Sequence, residues 1–326
     1  MKRGSSGINA LLAVDKPVGM TSHDVVSRVR RALGEKRVGH AGTLDPLASG
    51  VLVVGIGSAT RLLGMLTLAE KRYQATISFG TETTTDDSEG EVVVTKSVPA
   101  ECFDPSFARE TLAQLEGEQD QIPPSYSAIS VGGKRAYALA REGKDLEIPA
   151  RHITVCQARL VSLSKSSEDS NDCLWTVDLR VSKGTYIRSI ARDMGRKLGT
   201  AAHISALRRV VSGSISLDDC IELSLLETRG ASCIDEYRLD PAHALQLPLY
   251  RLNEREFADV VVGRRIAAGE VEDKTGFSRC PSRRPPQQNE RIALVYEGAL
   301  CGVWQCQENK LVCCANFSQG IGGVSA

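Results

Sequence analysis

The sequence predicts an α+β protein in which a mixed, largely antiparallel sheet is flanked by helices and followed by a small β-rich domain. Two segments, residues 70–80 and 174–182, alternate between apolar and polar residues. This period of two is typical of half-buried strands and favours antiparallel pairing over a doubly wound parallel sheet. Amphipathic helical patterns at residues 21–33 and 183–199 supply the flanking helices.

The first predicted elements are a helix, a buried strand and an alternating strand. Residues 21–33 open with Thr/Ser capping candidates and carry an apolar side chain at every fourth position, which predicts a helix. Residues 50–57, GVLVVGIG, form a short apolar run that predicts a buried strand. The alternating strand at 70–80 follows, and a polar turn region, TETTTDDSEG, comes after it.

Three further helices are predicted along the chain. Residues 104–117 begin with Asp104 as the cap and Pro105 in the first turn, and they end on a glycine. Residues 183–199 turn through a glycine into a helix with a buried apolar stripe. Residues 216–228, SLDDCIELSLLET, predict a late helix.

The chain divides by composition into a large domain and a small one. We place the large domain at residues 8–247, with a polar, turn-rich insertion at 118–150. Residues 248–326 contain short strand-like segments and form the small β-rich domain. Within it, residues 275–291 are rich in Pro, Arg and Gln, which predicts a long loop with little order.

Charge and hydropathy argue against membrane and secreted proteins and, mildly, against nucleic-acid-binding proteins. Net charge is +0 over 326 residues, which argues mildly against a nucleic-acid partner, although the arginines are clustered. No apolar run approaches the roughly 20 residues of a membrane span, and the N-terminus does not resemble a signal peptide. We therefore expect a cytoplasmic protein without membrane association.

The cysteine pattern predicts thiols rather than a metal site. None of the ten cysteines forms a C-x-x-C pair or lies near a histidine at zinc-binding spacing. Reduced and mostly buried cysteines are the ordinary state in a cytosolic protein. We expect no bound metal.

The motif GHAGTLDPLASG, residues 39–50, contains the first candidate for chemistry. An Asp-Pro pair such as Asp45–Pro46 commonly caps a short helix, with proline at the first helical position. Glycines also allow a ligand to approach the backbone closely, and a carboxylate on such a loop can act as a nucleophile or a general base. From the residues alone, both interpretations of Asp45 remain open.

Other candidates are equally ambiguous when taken singly. His40 can be a base, a phosphate contact or a packed loop residue. Tyr73 lies on an alternating strand, where an aromatic ring usually belongs to the core, but such a ring can also stack on an extruded base. The glycines of GIGSATR, residues 55–61, lack the third glycine and the lysine of phosphate-binding loops, so a nucleotide site has little support.

A row of arginines marks the helix at 183–199. Arg188, Arg192 and Arg196 recur at every fourth residue on one face. Such a row is usually a solvated stripe, but a basic face of this kind can also follow a phosphate backbone.

Seven segments, in order along residues 8–247, resemble the bacterial tRNA pseudouridine-55 synthase family, the TruB family. The combination of GHAGTLDP with KGTYIRSIARDMG is specific to it. The matching segments are LLAVDKPVGMTSHDVV, KRVGHAGTLDPLASGVLVVGIGSATR, EKRYQATISFG, GTETTTDDSEG, PPSYSAISVGGKRAYALAREGK, VSKGTYIRSIARDMGRKLG and AHISALRR. The resemblance implies the pseudouridine synthase fold and the isomerisation of uridine 55 in the T-loop of tRNA.

The resemblance also implies a role for each candidate in the core of the site. Asp45 would be the catalytic aspartate, Arg188 would pair with it, and Tyr73 would stack on the flipped uracil. Tyr186 and Leu207 would line the uracil pocket. The reaction breaks and remakes one glycosidic bond without redox change, so no cofactor is expected. Covalent attack by the aspartate and proton abstraction remain open alternatives.

Further residues and regions receive supporting roles from the same resemblance. His40 would fill the space left by the flipped nucleotide or contact RNA. Lys16 and Pro17 would support the catalytic loop, and Gly42 and Lys183 would assist. The insertion would be a thumb that closes on the T-arm stem-loop, and the C-terminal domain would be PUA-like and bind RNA.

The expected partner is tRNA alone, bound by a monomer without a protein partner. A non-catalytic tRNA-binding or tRNA-folding protein with the same fold is the alternative. The same constellation of residues argues against this alternative, because such a protein would not need the catalytic aspartate.

Overall fold

The computed structural model describes residues 6–127, 129–131, 134–135, 148–165, 172–273 and 282–324. The chain divides into two compact units. The first comprises Met1–Pro46, Gly50–Ala69 and Val211–Ala326, and the second comprises Leu47–Ser49 and Glu70–Val210. Each unit therefore contains segments that are distant in sequence, and we describe the two units separately.

Strands dominate both units. In chain order they are β1 (Ala10–Lys16), β2 (Val38–Ala41), β3 (Ala48–Ile56), β4 (Lys71–Phe79), β5 (Thr81–Thr83), β6 (Val92–Thr95), β7 (Gly117–Gln121), β8 (Ser130–Val131), β9 (Lys134–Arg135), β10 (Arg151–Lys165), β11 (Cys173–Val181), β12 (Ala202–Ser212), β13 (Ile215–Ser216), β14 (Cys220–Glu222), β15 (Leu249–Arg251), β16 (Ile266–Ala267), β17 (Val271–Asp273), β18 (Ser282–Arg284), β19 (Arg291–Tyr296), β20 (Ala299–Gln307) and β21 (Lys310–Gly322).

Among the described residues, the helices are fewer than the strands. They are α1 (Ser22–Leu33), α2 (Leu63–Leu66), α3 (Pro105–Ala113), α4 (Ile187–Lys197), α5 (Leu223–Arg229), α6 (Ile234–Tyr237), α7 (Pro241–Leu245) and α8 (Glu254–Val261). Four short 3₁₀ turns accompany them, at Gly57–Leu62, Ala100–Phe103, Leu217–Asp219 and Gly230–Cys233. In the described part of the chain, no helix has the length and apolar character needed to cross a membrane.

In the first unit, β1 is the centre of a mixed sheet. It pairs antiparallel with β3 and parallel with β14, and β2 pairs antiparallel with residues Val53 to Ile56 on the other edge of β3. Helix α1 begins after Thr21, whose side chain forms a capping box with Asp24. Its apolar face is buried, which confirms the amphipathic helix predicted at 21–33.

The first unit also contains the C-terminal sheet, with strand order β16-β21-β20-β19-β15-β17-β18. Its apolar residues share one hydrophobic cluster with residues of β1 and β3, for example Val303 with Leu11 and Val53. Part of the predicted loop 275–291 is ordered: β18 pairs with β17, and Arg284 forms ion pairs with Asp273 and Glu290. The described sheet supports a β-rich C-terminal region, while the boundary at residue 247 stays a prediction.

The second unit is built on the sheet order β12-β4-β11-β10-β7. Its pairs β4–β11, β11–β10 and β10–β7 are antiparallel. Every second side chain of β4 is buried, as the alternation predicted. The α+β class and the largely antiparallel sheet are therefore confirmed. Within the insertion at 118–150, residues 128, 132–133 and 136–147 lie outside the described residues, and the short helix that the pattern RAYALAREG predicts at 135–143 falls almost wholly among them.

Three local predictions need correction. Residues after Pro46 form a turn that leads directly into β3, so no helix follows Asp45. The predicted helix 104–117 ends earlier, at Ala113. The predicted helix 216–228 is a 3₁₀ turn, a short strand and then α5, because Ser216 and Asp219 close a capping box around a single turn.

Candidate active site

The loop that carries Asp45 is fixed through its neighbours in the first unit. The buried hydroxyl of Ser22, at the start of α1, accepts a hydrogen bond from the Leu44 amide at 2.8 Å and donates one to the Leu44 carbonyl at 3.0 Å. Both backbone groups of the residue before Asp45 are thus satisfied by one side chain. Ser22 was not among the residues that the sequence singled out.

The other side of Asp45 is held through the carbonyl of Pro46. That carbonyl accepts from the Gly19 amide at 2.9 Å and from Lys16 Nζ at 3.4 Å. Lys16 is fully buried, and it also donates to the carbonyls of Pro17 and Met20. The Lys16 ammonium group thus connects two chain segments, the one that contains Pro17 and Met20 and the one that contains Pro46. This geometry supports the role expected for Lys16.

Asp45 itself is half-buried and does not cap a helix. Gly42 precedes it with φ of 78°, a left-handed conformation that favours glycine. His40 is half-buried on β2, opposite Val54 of β3. The first unit therefore presents a carboxylate on a short, tightly anchored turn rather than at a helix end.

The second unit contains the predicted base-binding residues. Tyr73 lies on β4 opposite Leu179 of β11, and its side chain is 8% exposed. Leu207 lies on β12 and is 7% exposed. Because β12 and β4 are adjacent in this sheet, both side chains belong to its central strands.

Tyr186 and Lys183 lie at the corner between β11 and α4. Tyr186 is the N-cap residue of α4, and its half-buried ring packs on Ile129 and Ile148. Lys183 is exposed. The corner is closed by Thr185, whose hydroxyl donates to the Ser182 carbonyl at 3.0 Å.

Arg188, on the first turn of α4, is buried and held from two directions. Its guanidinium donates to the carbonyl of Thr85 at 2.8 Å and to that of Tyr126 at 3.0 Å, and it lies 3.4 Å from the Asp87 carboxylate. Its side chain is 5% exposed and that of Asp87 is 4% exposed. Buried guanidinium groups keep a fixed direction when several acceptors are present.

The arginine row on α4 forms a ladder of ion pairs with acidic residues, in which Arg188 and Arg192 are nearly buried and Arg196 is exposed. Arg192 pairs with Asp86 at 2.9 Å, both nearly buried. Arg196 pairs with Glu82, and Arg188 with Asp87. The positively charged face predicted for RNA phosphates is therefore largely neutralised by acids of the 81–87 segment.

The acidic segment is itself anchored to β12. The Ile204 amide donates to the Asp86 carbonyl at 3.1 Å, and the Ser88 amide donates to the Ile204 carbonyl at 3.0 Å. Asp86 has φ of 60°, which is uncommon for a residue other than glycine. Burial raises the pKa of Asp86 to about 6, although Arg192 and Arg188 oppose the shift.

A second cationic group lies in the same unit. Lys71 opens β4 and is buried, and burial lowers the pKa of its ammonium group to about 8, with Arg209 and Lys183 contributing by like-charge repulsion. Burying a charged ammonium group near other cations costs folding free energy, and groups with perturbed pKa values are frequent at functional sites. The alternation of β4 places Lys71 on the same face as Tyr73, and the structure shows that this face is buried at Lys71 as well.

The predicted site residues thus fall into two groups. The first unit contains the Asp45 loop and its supports, and the second contains Tyr73, Leu207 and the α4 corner. Among the residues that the structure describes, no cluster of three or more His, Cys, Asp or Glu side chains could hold a metal ion. Sequence reasoning missed Asp86 and Asp87, because their adjacent acidic side chains give no sign of their partners on α4.

The fold is similar to that of chains in two solved complexes. It matches a chain in "Crystal Structure of a Cbf5-Nop10-Gar1 Complex" with a TM-score of 0.66 at 22% identity, covering 98% of this chain and 88% of the other. A chain in "Structure of H/ACA RNP bound to a substrate RNA containing 2'-deoxyuridine" gives a TM-score of 0.63 at 21% identity, covering 97% and 86%. At this identity the likeness establishes the fold class.

Sequence comparison assigns the family. The model of the TruB family pseudouridylate synthase N-terminal domain matches residues 30–187, and that of the tRNA pseudouridylate synthase B C-terminal domain matches residues 188–242. The tRNA pseudouridine synthase B of Thermobifida fusca (strain YX) is 46% identical over 262 residues, covering 79% of this chain and 87% of the relative. That of Mycobacterium sp. (strain KMS) is 44% identical over 264 residues, covering 80% and 86%. The chain belongs to the TruB family of pseudouridylate synthases and is an isomerase.

Proposed function

We propose that this enzyme isomerises uridine 55 in the T-loop of tRNA to pseudouridine, with Asp45 as the essential carboxylate. The observation that carries the role of Asp45 is its position on a turn whose backbone is held by Ser22, Lys16 and Gly19. Because those neighbours fix the turn, Asp45 does not have to act as a helix cap. The names of the relatives, tRNA pseudouridine synthase B, support tRNA as the substrate.

The proposed reaction needs little more than one placed carboxylate. The N1–C1′ bond of uridine breaks, the uracil rotates, and a C5–C1′ bond forms while the C5 proton is released and N1 regains a proton. Asp45 would act by attack on C1′ or by removal of a sugar proton, and either route requires the ionised carboxylate. Atoms and electrons balance without a redox cofactor or group donor.

The base must leave the RNA stack before it can react. Extruding a nucleotide costs a few kcal/mol, and stacking on an aromatic ring offsets about 1–3 kcal/mol of it. We assign this stacking to Tyr73, with Tyr186 and Leu207 as the further walls of the uracil pocket. The burial of Tyr73 and Leu207 on adjacent strands supports a dry pocket for the detached base.

Arg188 supplies positive charge in this proposal. A guanidinium near a reacting carboxylate keeps that carboxylate ionised. The carbonyls of Thr85 and Tyr126 and the Asp87 carboxylate fix its orientation. His40, Lys183, Pro17 and Gly42 stay candidate supporting residues.

The direct test compares two Asp-Pro pairs. We expect Asp45→Asn to reduce tritium release from a [5-³H]uridine T-arm stem-loop by at least about 1,000-fold, the scale of removing an acid–base or nucleophilic group. Binding of the same RNA should remain within about threefold, because the substitution is isosteric. Asp104→Asn is the matched control, because Asn caps a helix as well as Asp does.

Two outcomes would contradict the proposal. A purified Asp45→Asn variant that converts the stem-loop at the wild-type rate would remove Asp45 from the chemistry. A wild-type protein that binds tRNA but releases no tritium would favour the tRNA-folding alternative. Mapping the modified nucleotide by reverse transcription would test the assignment to uridine 55.

The stacking role of Tyr73 has its own test. Tyr73→Phe keeps the ring and should retain single-turnover rates within about tenfold of wild type, whereas Tyr73→Ala should lose at least a further tenfold, as expected for about 1–3 kcal/mol of stacking. Single-turnover tritium release on the stem-loop measures both. Equal losses in the two variants would rule out stacking as the main role.

The remaining parts of the proposal concern the binding partners, the cellular location and the regions that contact RNA. We propose that the enzyme acts as a cytoplasmic monomer on tRNA without a protein partner, that the insertion at 118–150 contacts the T arm, and that residues 248–326 bind RNA. Sedimentation of the purified protein with and without tRNA measures the first of these. Protection of each region from hydrogen exchange by the stem-loop would locate the RNA contacts.

A further inference from the structure

The peptide of Tyr186 is held by the side chain of a residue far away in sequence. The Gln121 amide nitrogen donates to the Tyr186 carbonyl at 3.0 Å, and the Gln121 amide oxygen accepts from the Tyr186 amide at 2.8 Å. Gln121 is the last residue of β7 and is 4% exposed. One primary amide thus satisfies both polar groups of a single residue, which fixes that peptide in two directions.

This contact occurs where α4 lacks an ordinary cap. Tyr186 is the N-cap residue, and no side chain caps the helix there. The Tyr186 carbonyl also accepts the first helical hydrogen bond, from the Ile190 amide at 3.2 Å. Gln121 therefore holds the backbone of the residue at which α4 begins, two residues before Arg188.

The residues that follow Gln121 continue the same attachment. The Ile122 carbonyl accepts from the Ser189 hydroxyl at 2.9 Å and from Arg192 at 2.8 Å. The Tyr126 carbonyl accepts from Arg188 at 3.0 Å. The segment contains Pro123 and Pro124, which have no N–H to donate to a strand partner and disfavour helix in the residue before them, so its carbonyls are available to α4.

We propose that Gln121 is a positioning residue for the isomerisation, which sets the base-binding end of α4 through its two hydrogen bonds to Tyr186. This inference rests on the proposed function, in which Tyr186 lines the uracil pocket and Arg188 supplies charge. Gln121 does not touch the reacting atoms in this assignment. It acts through the backbone of a residue that does.

The test is Gln121→Met, with Gln114→Met as the matched control. Met has nearly the same length but neither donor nor acceptor strength, so it removes both hydrogen bonds that Gln121 makes to the Tyr186 peptide. Gln114 lies outside the insertion, at the C-terminal end of α3, and its amide oxygen accepts from Lys197 Nζ at 3.2 Å at an exposed position. We expect Gln121→Met to lower the single-turnover rate on the T-arm stem-loop at least tenfold, with RNA affinity changed less than threefold and Gln114→Met within twofold of wild type in both.

A purely structural role would lower the melting temperature and leave the rate of the folded enzyme unchanged. A folded Gln121→Met protein whose single-turnover rate is within twofold of wild type would therefore overturn the inference. If wild type is active and Asp45→Asn is inactive while Gln121→Met is normal, only the role of Gln121 fails. If wild type releases no tritium, the proposed function fails and with it the assignment that depends on it.

Gln121→Glu gives a second test that does not depend on the Met variant folding. A neutral carboxylic acid has one donor and one acceptor and can replace the amide, whereas a carboxylate cannot donate to the Tyr186 carbonyl. We expect its rate relative to wild type to be at least fivefold higher at pH 5.5 than at pH 8.5. A rate ratio that does not change with pH would contradict the two-bond geometry. Hydrogen exchange of the first-turn amides of α4 that is the same in Gln121→Glu as in wild type would also contradict it.

Discussion

Asp45–Pro46 and Asp104–Pro105 are the same dipeptide in two different structures. The Asp104 carboxylate accepts from the Ser106 amide at 2.8 Å and caps α3. Asp240–Pro241 does the same for α7, with the Ala242 amide at 2.9 Å. Asp45–Pro46 is followed by a turn and then β3, so it starts no helix.

The comparison separates an aspartate that caps a helix from one that is followed by a turn and a strand. The Asp104 side chain satisfies an amide at the helix start and so contributes to stability. Around Asp45 the stabilising hydrogen bonds come from Ser22, Lys16 and Gly19. Residues whose charge costs stability or adds nothing to it are better candidates for function than residues whose charge is needed by the fold.

The largest effect on stability is expected for Ser22→Ala, which removes the side chain that holds Leu44. Two buried backbone groups lose their partner, each at about 1–3 kcal/mol, so the free energy of unfolding should fall by about 4 kcal/mol. The Asp45 turn should also shift, with at least a tenfold loss of single-turnover rate. Urea unfolding and tritium release measure the two effects.

Ser27→Ala is the control for that experiment. Ser27 lies on the same helix, and its hydroxyl donates to the His23 carbonyl at 2.9 Å at an exposed position. We expect a change of less than about 0.5 kcal/mol, as for other surface substitutions. Equal effects of the two variants would show that Ser22 does not anchor the Asp45 turn.

A second test asks the same question of a buried lysine, Lys71: whether its charge is needed by the fold. The pKa of Lys71 is lowered from 10.5 to about 8, mainly by burial. Below pH 8 Lys71 is charged in both states, and the charge costs more free energy in the folded state than in the unfolded state. At about 1.4 kcal/mol per pKa unit, Lys71→Met should raise the free energy of unfolding by up to about 3 kcal/mol at pH 7. RNA affinity should fall at the same time.

The pH dependence gives the sign of this effect. Between pH 8 and 10.5 the unfolded state binds more protons at Lys71 than the folded state does, so wild-type stability rises with pH relative to the variant. The difference between the two unfolding curves should therefore shrink over that range. A Lys71→Met protein that is less stable than wild type at pH 7 would show that Lys71 is structural, like Asp104.

Much of the sheet could be predicted from sequence because alternation is a local signal. The buried positions of β4 follow from residues 71–79 alone, and the capping box of α1 follows from Thr21 and Asp24. The strand after Asp45 could be predicted as well, from the apolar run GVLVVGIG at 50–57. The helix cap was one of two open interpretations of Asp45, and no local rule excluded it, because Asp104–Pro105 is the same dipeptide and does cap a helix.

The α4 ladder could not be predicted in the same way. Arg192 and Arg196 meet Asp86 and Glu82, which lie more than a hundred residues earlier in the chain. Arginines spaced by four show that one helix face is basic, but not what covers it. The same limit applies to Gln121, whose partner Tyr186 is 65 residues away.

The smallest effect is expected at Asp104, and it tests the comparison most directly. Asp104→Ala removes the cap of α3 and should lower the free energy of unfolding by about 1 kcal/mol, whereas Asp104→Asn should change it by only a few tenths because Asn also caps. Tritium release by the folded variants should equal that of wild type. Asp45→Asn should show the reverse pattern, with near-normal stability and no activity. Loss of activity in Asp104→Ala at temperatures where it is fully folded would mean that the two Asp-Pro pairs do not differ in the way their structures indicate.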